Sequence, residues 1–247
     1  MKEISEEKFL NDLSNKKVII VGPAPEPEYK EGFGSYIDSF DVVVRVNKGW
    51  RMSQESPATF GSRTDILYHC LDFDEESGGL IDYDFLRSSG CKVIFSCYPN
   101  ISGSNFRDIM LNSGVRHHCL NWFLSQNGGI DYSIISSDYY LSVDEEMNTR
   151  PNSGTISFLH LLRSNLSFLH IVGFSFFSKG YVSSYRKSID GVTALDEEHS
   201  EFLVLDRLKK HGDNHKMQEQ IDFCKPILGR DPRVKMSTLL SKVLDER

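Results

Sequence analysis

Apolar and polar positions along this chain follow two alternating periods, one typical of buried strands and one of amphipathic helices. Continuous apolar runs or strand-like segments occur at residues 17–21, 41–46, 65–68, 92–96, 115–120 and 169–174. Helical spacing of apolar residues occurs between them, at 81–89, 105–112, 139–147 and 155–162. Strands that are apolar throughout are typical of a parallel sheet buried on both faces. The alternation therefore predicts a doubly wound α/β fold with a mostly parallel, Rossmann-like sheet.

The pattern also predicts how the rest of the chain is organised. Residues 1–16 hold a short amphipathic helix, and the Pro/Glu-rich loop up to residue 34 is too polar to enter the core. Residues 174–193 show little periodicity and are predicted to form a lid loop. Helices near 197–209 and 216–228, a strand near 233–236 and a last helix follow. With 39% apolar residues, the 247 residues are expected to form a single domain, 1–247.

Composition excludes several classes of function. The net charge is −7 and no run of Lys and Arg exceeds two residues, which argues against a nucleic-acid partner. No apolar run reaches the roughly 18 residues of a membrane span, and the first residues are charged, so we expect a cytoplasmic protein. The cysteines are widely spaced without a CxxC pair, which favours reduced core thiols; they are Cys70, Cys91, Cys97, Cys119 and Cys224.

Two turns of small residues predict anion-binding positions. Residues 150–155 lead into an apolar helix, and a helix N-terminus offers backbone N–H groups and a positive dipole end to an anion. Gly22, Pro23 and Ala24 follow the first strand without the GxGxxG spacing of a dinucleotide site. They form either a second anion-binding turn or an ordinary turn. Further residues fall at the carboxyl ends of parallel strands, where ligands bind in such sheets; they are Asn47, His69 and Gly173.

These segments together resemble the sialyltransferase family. Residues 18–25, 34–49 and 60–65 are similar to the long CMP-binding sialylmotif of eukaryotic-type members. Residues 150–154 and the strand ending at Gly173 and Phe174 resemble the short sialylmotif, and also the Arg-x-x-Ser-Gly turn of Campylobacter-type enzymes. The resemblance runs in order from about residue 17 to about residue 228. It implies the sialyltransferase variant of the GT-A fold.

The resemblance also implies an activity, the metal-independent transfer of a 3-deoxy-2-ulosonic acid, such as sialic acid or Kdo, from CMP to a glycan hydroxyl. Asn47 would contact the nucleotide, although an Asn there also suits a simple turn. The phosphate or donor carboxylate would be held by Asn152, Ser153, Gly154 and Thr155. Arg150 offers a guanidinium to an anion, or is a solvated residue before the helix. No cofactor is expected, and a lipid-linked acceptor would bring the enzyme to a membrane surface.

The reaction requires a base for the acceptor hydroxyl, and histidine has a suitable pKa. His215 precedes Glu219 in a segment that resembles the last family motif, and His199 falls at the place of the third. Either is alternatively a surface histidine, and we select His215 as the base. Tyr181 and Tyr185 fall where Campylobacter-type enzymes carry phosphate-binding tyrosines on a closing lid, or are ordinary loop aromatics.

Two other functions compete with this interpretation. Asp72 and Asp74 form an Asp-x-Asp after a strand and could bind Mg²⁺ or Mn²⁺ in a transferase that uses a UDP- or GDP-sugar. The neighbouring Glu75 and Glu76 make a solvated acidic loop equally natural. The second competitor is a nucleotide- or glycan-binding module without catalytic activity.

Overall fold

Seven parallel strands form a single sheet in the order β5-β4-β3-β2-β1-β6-β7. The computed structural model describes residues 2–72, 77–99, 123–125, 129–185 and 216–245. The strands are β1 (Lys17–Val21), β2 (Val42–Val46), β3 (Ile66–His69), β4 (Val93–Ser96), β5 (Asp131–Ile134), β6 (Phe168–Val172) and β7 (Val234–Met236). The strand order reverses between β1 and β6, so the carboxyl ends of these two strands mark the topological switch point, where ligands bind in sheets of this kind.

Helices connect the strands and cover both faces of the sheet. Within the described ranges they are α1 (Glu6–Asp12), α2 (Phe33–Asp38), α3 (Gly49–Glu55), α4 (Pro57–Phe60), α5 (Tyr83–Ser88), α6 (Ser137–Met147), α7 (Ser153–Leu162), α8 (Met217–Arg230) and α9 (Thr238–Asp245). Along β1, Val18 and Ile20 pack into a core shared with α1, α6, α7, α8 and α9, whereas Ile19 and Val21 pack against α2, α3 and α4. This alternation confirms the doubly wound arrangement.

Most predicted elements are confirmed, and two kinds were missed. β1 has the predicted bounds, and the other predicted strands in the described ranges agree to within one or two residues. The edge strand β5 was missed because Asp131–Ile134 carries polar side chains; β4 is its one neighbouring strand in the sheet, and a single bridge to Glu3 lies on its other side. The short helices α2, α3 and α4 were also missed. The elements predicted at 105–112, 115–120 and 197–209 lie outside the described residues.

One prediction about the loop after β1 is wrong. The loop was expected to stay out of the core because of its Pro and Glu residues, yet Ala24 is 2% exposed and Glu26 is 6% exposed. Glu26 enters the interior because the Gly173 and Leu239 amides and the Ser237 hydroxyl all donate hydrogen bonds to its carboxylate. Such donors offset the loss of water around a buried carboxylate.

Two further expectations can be compared with the structure. Cys70, Cys91, Cys97 and Cys224 are buried thiols that form no disulfide, as predicted, and Cys119 lies outside the described residues. In the part of the chain that the structure describes, no helix is long and apolar enough to cross a membrane.

Candidate functional site

Four of the predicted site residues lie at the carboxyl edge of the sheet, each at the end of a different strand. They are Gly22 after β1, Asn47 after β2, His69 at the end of β3 and Gly173 after β6. Because these strands are parallel neighbours, their carboxyl ends meet at one edge. Residues separated by up to 151 positions in the sequence are therefore brought to the same side of the molecule.

The backbones of Gly22 and Gly173 approach each other too closely for a side chain. A Cβ on Gly22 would lie 2.2 Å from the Gly173 oxygen. The Phe174 ring fills the space beside them, since a Cβ on Gly154 would lie 2.6 Å from its Cε1 atom and one on Gly22 would lie 2.9 Å from its Cε2 atom. The amide of Ala24 donates to the Gly173 oxygen at 2.9 Å. The two predicted turns thus form one packed unit around Phe174.

The helix N-terminus predicted to bind an anion is present at α7, and its first residues, 152–155, form the anion seat. Asn152 is its N-cap, and its side-chain oxygen accepts a hydrogen bond from the Thr155 amide at 2.9 Å. This bond takes the Thr155 amide away from a ligand. The amides of Ser153 and Gly154 have no acceptor within the described ranges, and the helix dipole places partial positive charge there. An anion would therefore contact Ser153 and Gly154.

Arg150 lies beside this helix N-terminus and is partly buried rather than solvated. The centre of its guanidinium is 4.7 Å from the centroid of the Tyr98 ring. Tyr98 follows β4, and its hydroxyl donates to the Pro151 oxygen at 3.5 Å. Tyr140 of α6 also contacts Arg150, and the Tyr98 and Tyr140 ring centroids are 5.5 Å apart. The two tyrosines hold the guanidinium at the edge of the sheet, next to the seat.

Gln220 of α8 fixes the orientation of the N-cap residue. Its side-chain oxygen accepts from the Asn152 side-chain amide at 2.8 Å and from the Asn152 backbone amide at 3.2 Å. Asn152 therefore uses its Oδ1 for the cap and its Nδ2 for Gln220, which leaves a single orientation of its side-chain amide. This places Asn152 as a supporting residue of the seat.

Asn47 has a structural role at the end of β2. Its φ is 49°, a left-handed conformation that Asn tolerates better than most residues. Its backbone amide donates to the Tyr68 oxygen at 2.7 Å, and its side-chain oxygen accepts from the Cys70 amide at 3.0 Å. Asn47 therefore ties the end of β2 to the end of β3, and its Nδ2 group is the part left to contact a ligand.

Arg45 fixes the segment that precedes β3 to the strand β2. The guanidinium is fully buried, and it donates hydrogen bonds to backbone oxygens of Phe60, Gly61 and Arg63 and to the Thr64 hydroxyl. Burial lowers the pKa of Arg45 to about 10. The side chain thus fixes the 60–64 segment to β2 and does not reach the edge where Asn47 lies.

His69 is enclosed by the protein. Its Nδ1 accepts from the Leu71 amide at 2.9 Å, so Nε2 carries the hydrogen and donates to the Gly78 oxygen at 3.1 Å. Burial lowers the pKa of His69 to about 4, and the ring is neutral near neutral pH. With both nitrogens occupied, His69 shapes the end of β3, and a ligand contact would displace one of these bonds.

The first part of the predicted lid packs against the first turn. The Val182 amide donates to the Pro23 oxygen at 2.8 Å. The rings of Tyr181 and Tyr185 are 5.1 Å apart, and Tyr185 is 6% exposed. The Lys48 ammonium, which is buried, lies 5.3 Å from the Tyr185 centroid. Both predicted tyrosines therefore lie near the strand ends.

Three predicted residues, His199, His215 and Asp74, lie outside the described residues. Lys216, the residue after His215, donates its amide to the Thr149 hydroxyl at 3.0 Å, next to Arg150. Asp72 is described and is partly buried after β3. Within the described part of the chain, no group of three or more His, Cys, Asp or Glu side chains is placed to hold a metal ion.

Sequence reasoning missed several side chains at this edge, namely Glu26, Lys48, Tyr98 and Gln220. Glu26 and Gln220 contact partners more than 60 positions away in the sequence, and no local pattern identifies such contacts. Lys48 could have been identified from the sequence, because it is a polar residue between buried ones and directly follows Asn47.

No protein-family model matches this sequence, and no curated protein sequence matches it either. The structure is similar to those of mammalian and Campylobacter sialyltransferases. The sialyltransferase CstII of Campylobacter jejuni, in a variant complexed with CMP, is 13% identical with a TM-score of 0.49, covering 92% of this chain and 84% of CstII. An α-2,3-sialyltransferase from Campylobacter jejuni is 16% identical with a TM-score of 0.44, covering 81% and 75%. A mammalian sialyltransferase is 15% identical with a TM-score of 0.43, covering 79% of this chain and 66% of the mammalian chain.

Proposed function

We propose that this protein is a glycosyltransferase that transfers a 3-deoxy-2-ulosonic acid from its CMP donor to a glycan hydroxyl. The observation that carries the proposal is the meeting of the motif segments at one edge. Residues 22–24, Asn47, the α7 N-terminus and the turn at Gly173 and Phe174 share the switch-point edge of the sheet. Parallel topology by itself places residues 22–24, Asn47 and Gly173 at this edge, and the contact of the Phe174 ring with Gly154 adds the α7 N-terminus to them. Ligands bind at the switch-point edge in sheets of this kind, and here that edge carries an anion-binding helix N-terminus.

The residues at the edge suit an anionic nucleotide donor. The Ser153 and Gly154 amides and the α7 dipole would receive the phosphate or the ulosonate carboxylate. Arg150, held against Tyr98, would add a full positive charge beside them. The Nδ2 group of Asn47 would contact the nucleotide. In this assignment Thr155 and Asn152 support the seat and do not bind the donor directly.

The proposed reaction is a single displacement. The acceptor oxygen forms a bond to C2 of the ulosonate while the bond between C2 and the phosphate oxygen breaks, and CMP leaves with the bonding electron pair. His215 would take the proton from the acceptor hydroxyl. Tyr181 and Tyr185 would donate hydrogen bonds to the departing phosphate, in place of a metal ion. This mechanism inverts the configuration at C2.

Nucleotide binding tests the donor class. We expect CMP to raise the melting temperature of the protein more than UDP or GDP at the same concentration, because a ligand that binds only the folded state stabilises it more the lower its dissociation constant. Asn152→Ala removes the α7 cap, and Asp82→Ala removes the equivalent side-chain cap of α5, a helix that carries none of the predicted site residues. Each substitution should lower stability by about 1 kcal/mol. Only Asn152→Ala should also weaken CMP binding, by roughly tenfold.

Transfer assays separate the competing functions. With a CMP-linked sialic acid or Kdo donor, activity should persist in EDTA and should be abolished by His215→Ala with CMP affinity retained. Loss of activity in EDTA together with a preference for UDP or GDP would instead support the Asp72 and Asp74 metal site. CMP binding without transfer or donor hydrolysis would indicate a binding module. NMR of the product linkage would show whether the configuration inverts.

A further inference from the structure

Glu26 joins three parts of the fold through one buried carboxyl group. Its Oε1 accepts hydrogen bonds from the Gly173 amide at 2.8 Å and from the Ser237 hydroxyl at 2.5 Å. Its Oε2 accepts from the Leu239 amide at 3.2 Å. The loop after β1 is thereby linked to the end of β6 and to the first turn of α9. A connection of this kind transmits a change at Glu26 directly to Gly173.

Glu28 caps the same helix end beside Glu26. Its Oε1 accepts from the Thr238 amide at 3.0 Å and from the Thr238 hydroxyl at 2.6 Å. Because the two carboxyl groups bind the consecutive amides of Thr238 and Leu239, they lie side by side, within hydrogen-bonding reach of each other. A hydrogen bond between two carboxyl groups requires a proton on one of them. Within the described ranges the buried Glu28 Oε2 has no other partner.

The surroundings favour a proton on Glu26. Burial, together with the neighbouring charge of Glu28, outweighs the three hydrogen bonds and raises the pKa of Glu26 to about 7. Burial also raises the pKa of Glu28, but the hydrogen bonds from Thr238 outweigh it and the net shift is downward. The other titratable or charged groups around the pair are Tyr29 of the same loop, Arg45 of β2, His170 of β6 and Lys235 of β7.

The position of Gly173 matters because Phe174 follows it. Gly173 has a φ of +80°, and the Phe174 ring lies against Gly154 at the α7 N-terminus. We propose that Glu26 is a positioning residue, which shares one proton with Glu28 and thereby fixes the Gly173–Phe174 turn against the seat for the donor anion. The donor part of this inference rests on the proposed function. Glu26 is not a catalytic group, since both of its oxygens are engaged and it is 6% exposed.

The proposal predicts pH-dependent ligand binding. Loss of the shared proton leaves two adjacent carboxylates, whose repulsion should loosen the turn. We expect CMP affinity to fall between pH 6 and pH 8 by about threefold more in the wild type than in Glu28→Gln. In this variant the side-chain amide of Gln donates a hydrogen bond to Glu26 at every pH, so the contact no longer needs the shared proton. The titration of CMP itself is common to both proteins and cancels in this comparison. Glu26→Ala should weaken CMP binding at every pH by about tenfold, and the exposed Glu31→Gln should match the wild type.

A second measurement separates this inference from the proposed function. In the ligand-free protein, the ¹⁵N–¹H signal of Gly173 should titrate near neutral pH in the wild type, and this titration should be absent in Glu26→Gln. A Gly173 signal that stays constant from pH 5.5 to 8.5 overturns the shared proton, whether or not CMP binds. A titrating signal with equal CMP affinity in the wild type, Glu26→Gln and Glu26→Ala overturns the positioning role. Absence of CMP binding in the wild type refutes the donor assignment and the positioning role that rests on it, while a titrating signal still supports the proton pair.

Discussion

Gly173 is the residue at which the fold and the candidate site constrain each other most directly. Its φ of +80° favours glycine, and a Cβ there would lie 2.2 Å from both the Gly22 oxygen and the Tyr29 hydroxyl oxygen. The Tyr29 hydroxyl in turn donates to the Gly22 oxygen at 2.7 Å. A side chain at Gly173 would therefore displace the strand ends that carry the site. The constraint is steric as well as conformational.

A matched glycine separates these two contributions. Gly90 also has a left-handed φ, +89°, but nothing lies within 4 Å of its Cβ position. We expect Gly90→Ala to lower the free energy of unfolding by about 1 kcal/mol, through backbone conformation alone. Gly173→Ala should lower it by roughly 3 kcal/mol or more, because overpacking is added. Urea unfolding measures both losses, and equal values would contradict the close contact between Gly22 and Gly173.

Among the elements, α1 is tied to α7 by one partly buried polar network. The His160 Nε2 group and the Arg163 Nη1 group each donate to Glu6 Oε1 at 2.9 Å. The Tyr68 hydroxyl completes the network by donating to His160 Nδ1 at 2.7 Å. Burial raises the pKa of Glu6, but the His160 hydrogen bond and the other nearby donors outweigh it and lower this pKa to about 2. The carboxylate is thus ionised throughout the physiological range.

Glu6→Gln should destabilise the protein by about 2 kcal/mol, because a neutral amide accepts these hydrogen bonds more weakly than a carboxylate. Glu7 is the control, since it is also acidic and lies in the first turn of α1 but is exposed. Glu7→Gln should change the free energy of unfolding by less than about 0.5 kcal/mol. Circular dichroism during thermal unfolding measures both variants. Similar losses would mean that the helix dipole, which both residues share, dominates.

The success of sequence reasoning also differs between elements. Strands buried on both faces, such as β1 and β2, carry continuous apolar runs and could be predicted almost to the residue. The edge strand β5 could not, since only Ser133 is buried and its polar residues resemble a loop. Glu26 was missed for a different reason. From sequence alone a glutamate is predicted to lie at the surface. The hydrogen-bond donors that allow Glu26 to be buried, at Gly173 and in α9, come close to it only in the tertiary fold.

At the scale of the whole molecule, parallel strand topology explains how much of the site was predictable. Once consecutive strands are assigned as parallel, the residues after β1, β2, β3 and β6 must share an edge. The partners that orient them do not follow from this rule. Tyr98 beneath Arg150 and Gln220 beside Asn152 come from other elements, and only packing brings them there. Sequence therefore predicted at which edge of the sheet the candidate residues lie, and the structure adds the side chains that orient them.

Buried titratable groups also give the whole molecule a defined pH dependence. His69, His160 and His170 are all at most 2% exposed, and burial lowers the pKa of each. A histidine with a lowered pKa contributes stability that is fully present above its unfolded pKa, about 6.5, and is lost as pH falls below it. Glu26, with its raised pKa, has the opposite effect and loses stability as pH rises toward 7.

His170 allows one of these contributions to be measured separately. Burial, with the nearby Lys235 charge, lowers the pKa of His170 to about 4. The wild type should therefore lose about 2 kcal/mol between pH 7.5 and pH 5 through this residue alone. His170→Gln should remove that part of the loss, whereas Tyr36→Phe, which removes the hydrogen-bond partner of His170 at 3.2 Å, should retain it. If urea unfolding gives His170→Gln the pH dependence of the wild type, His170 must already be able to take up a proton in the folded protein.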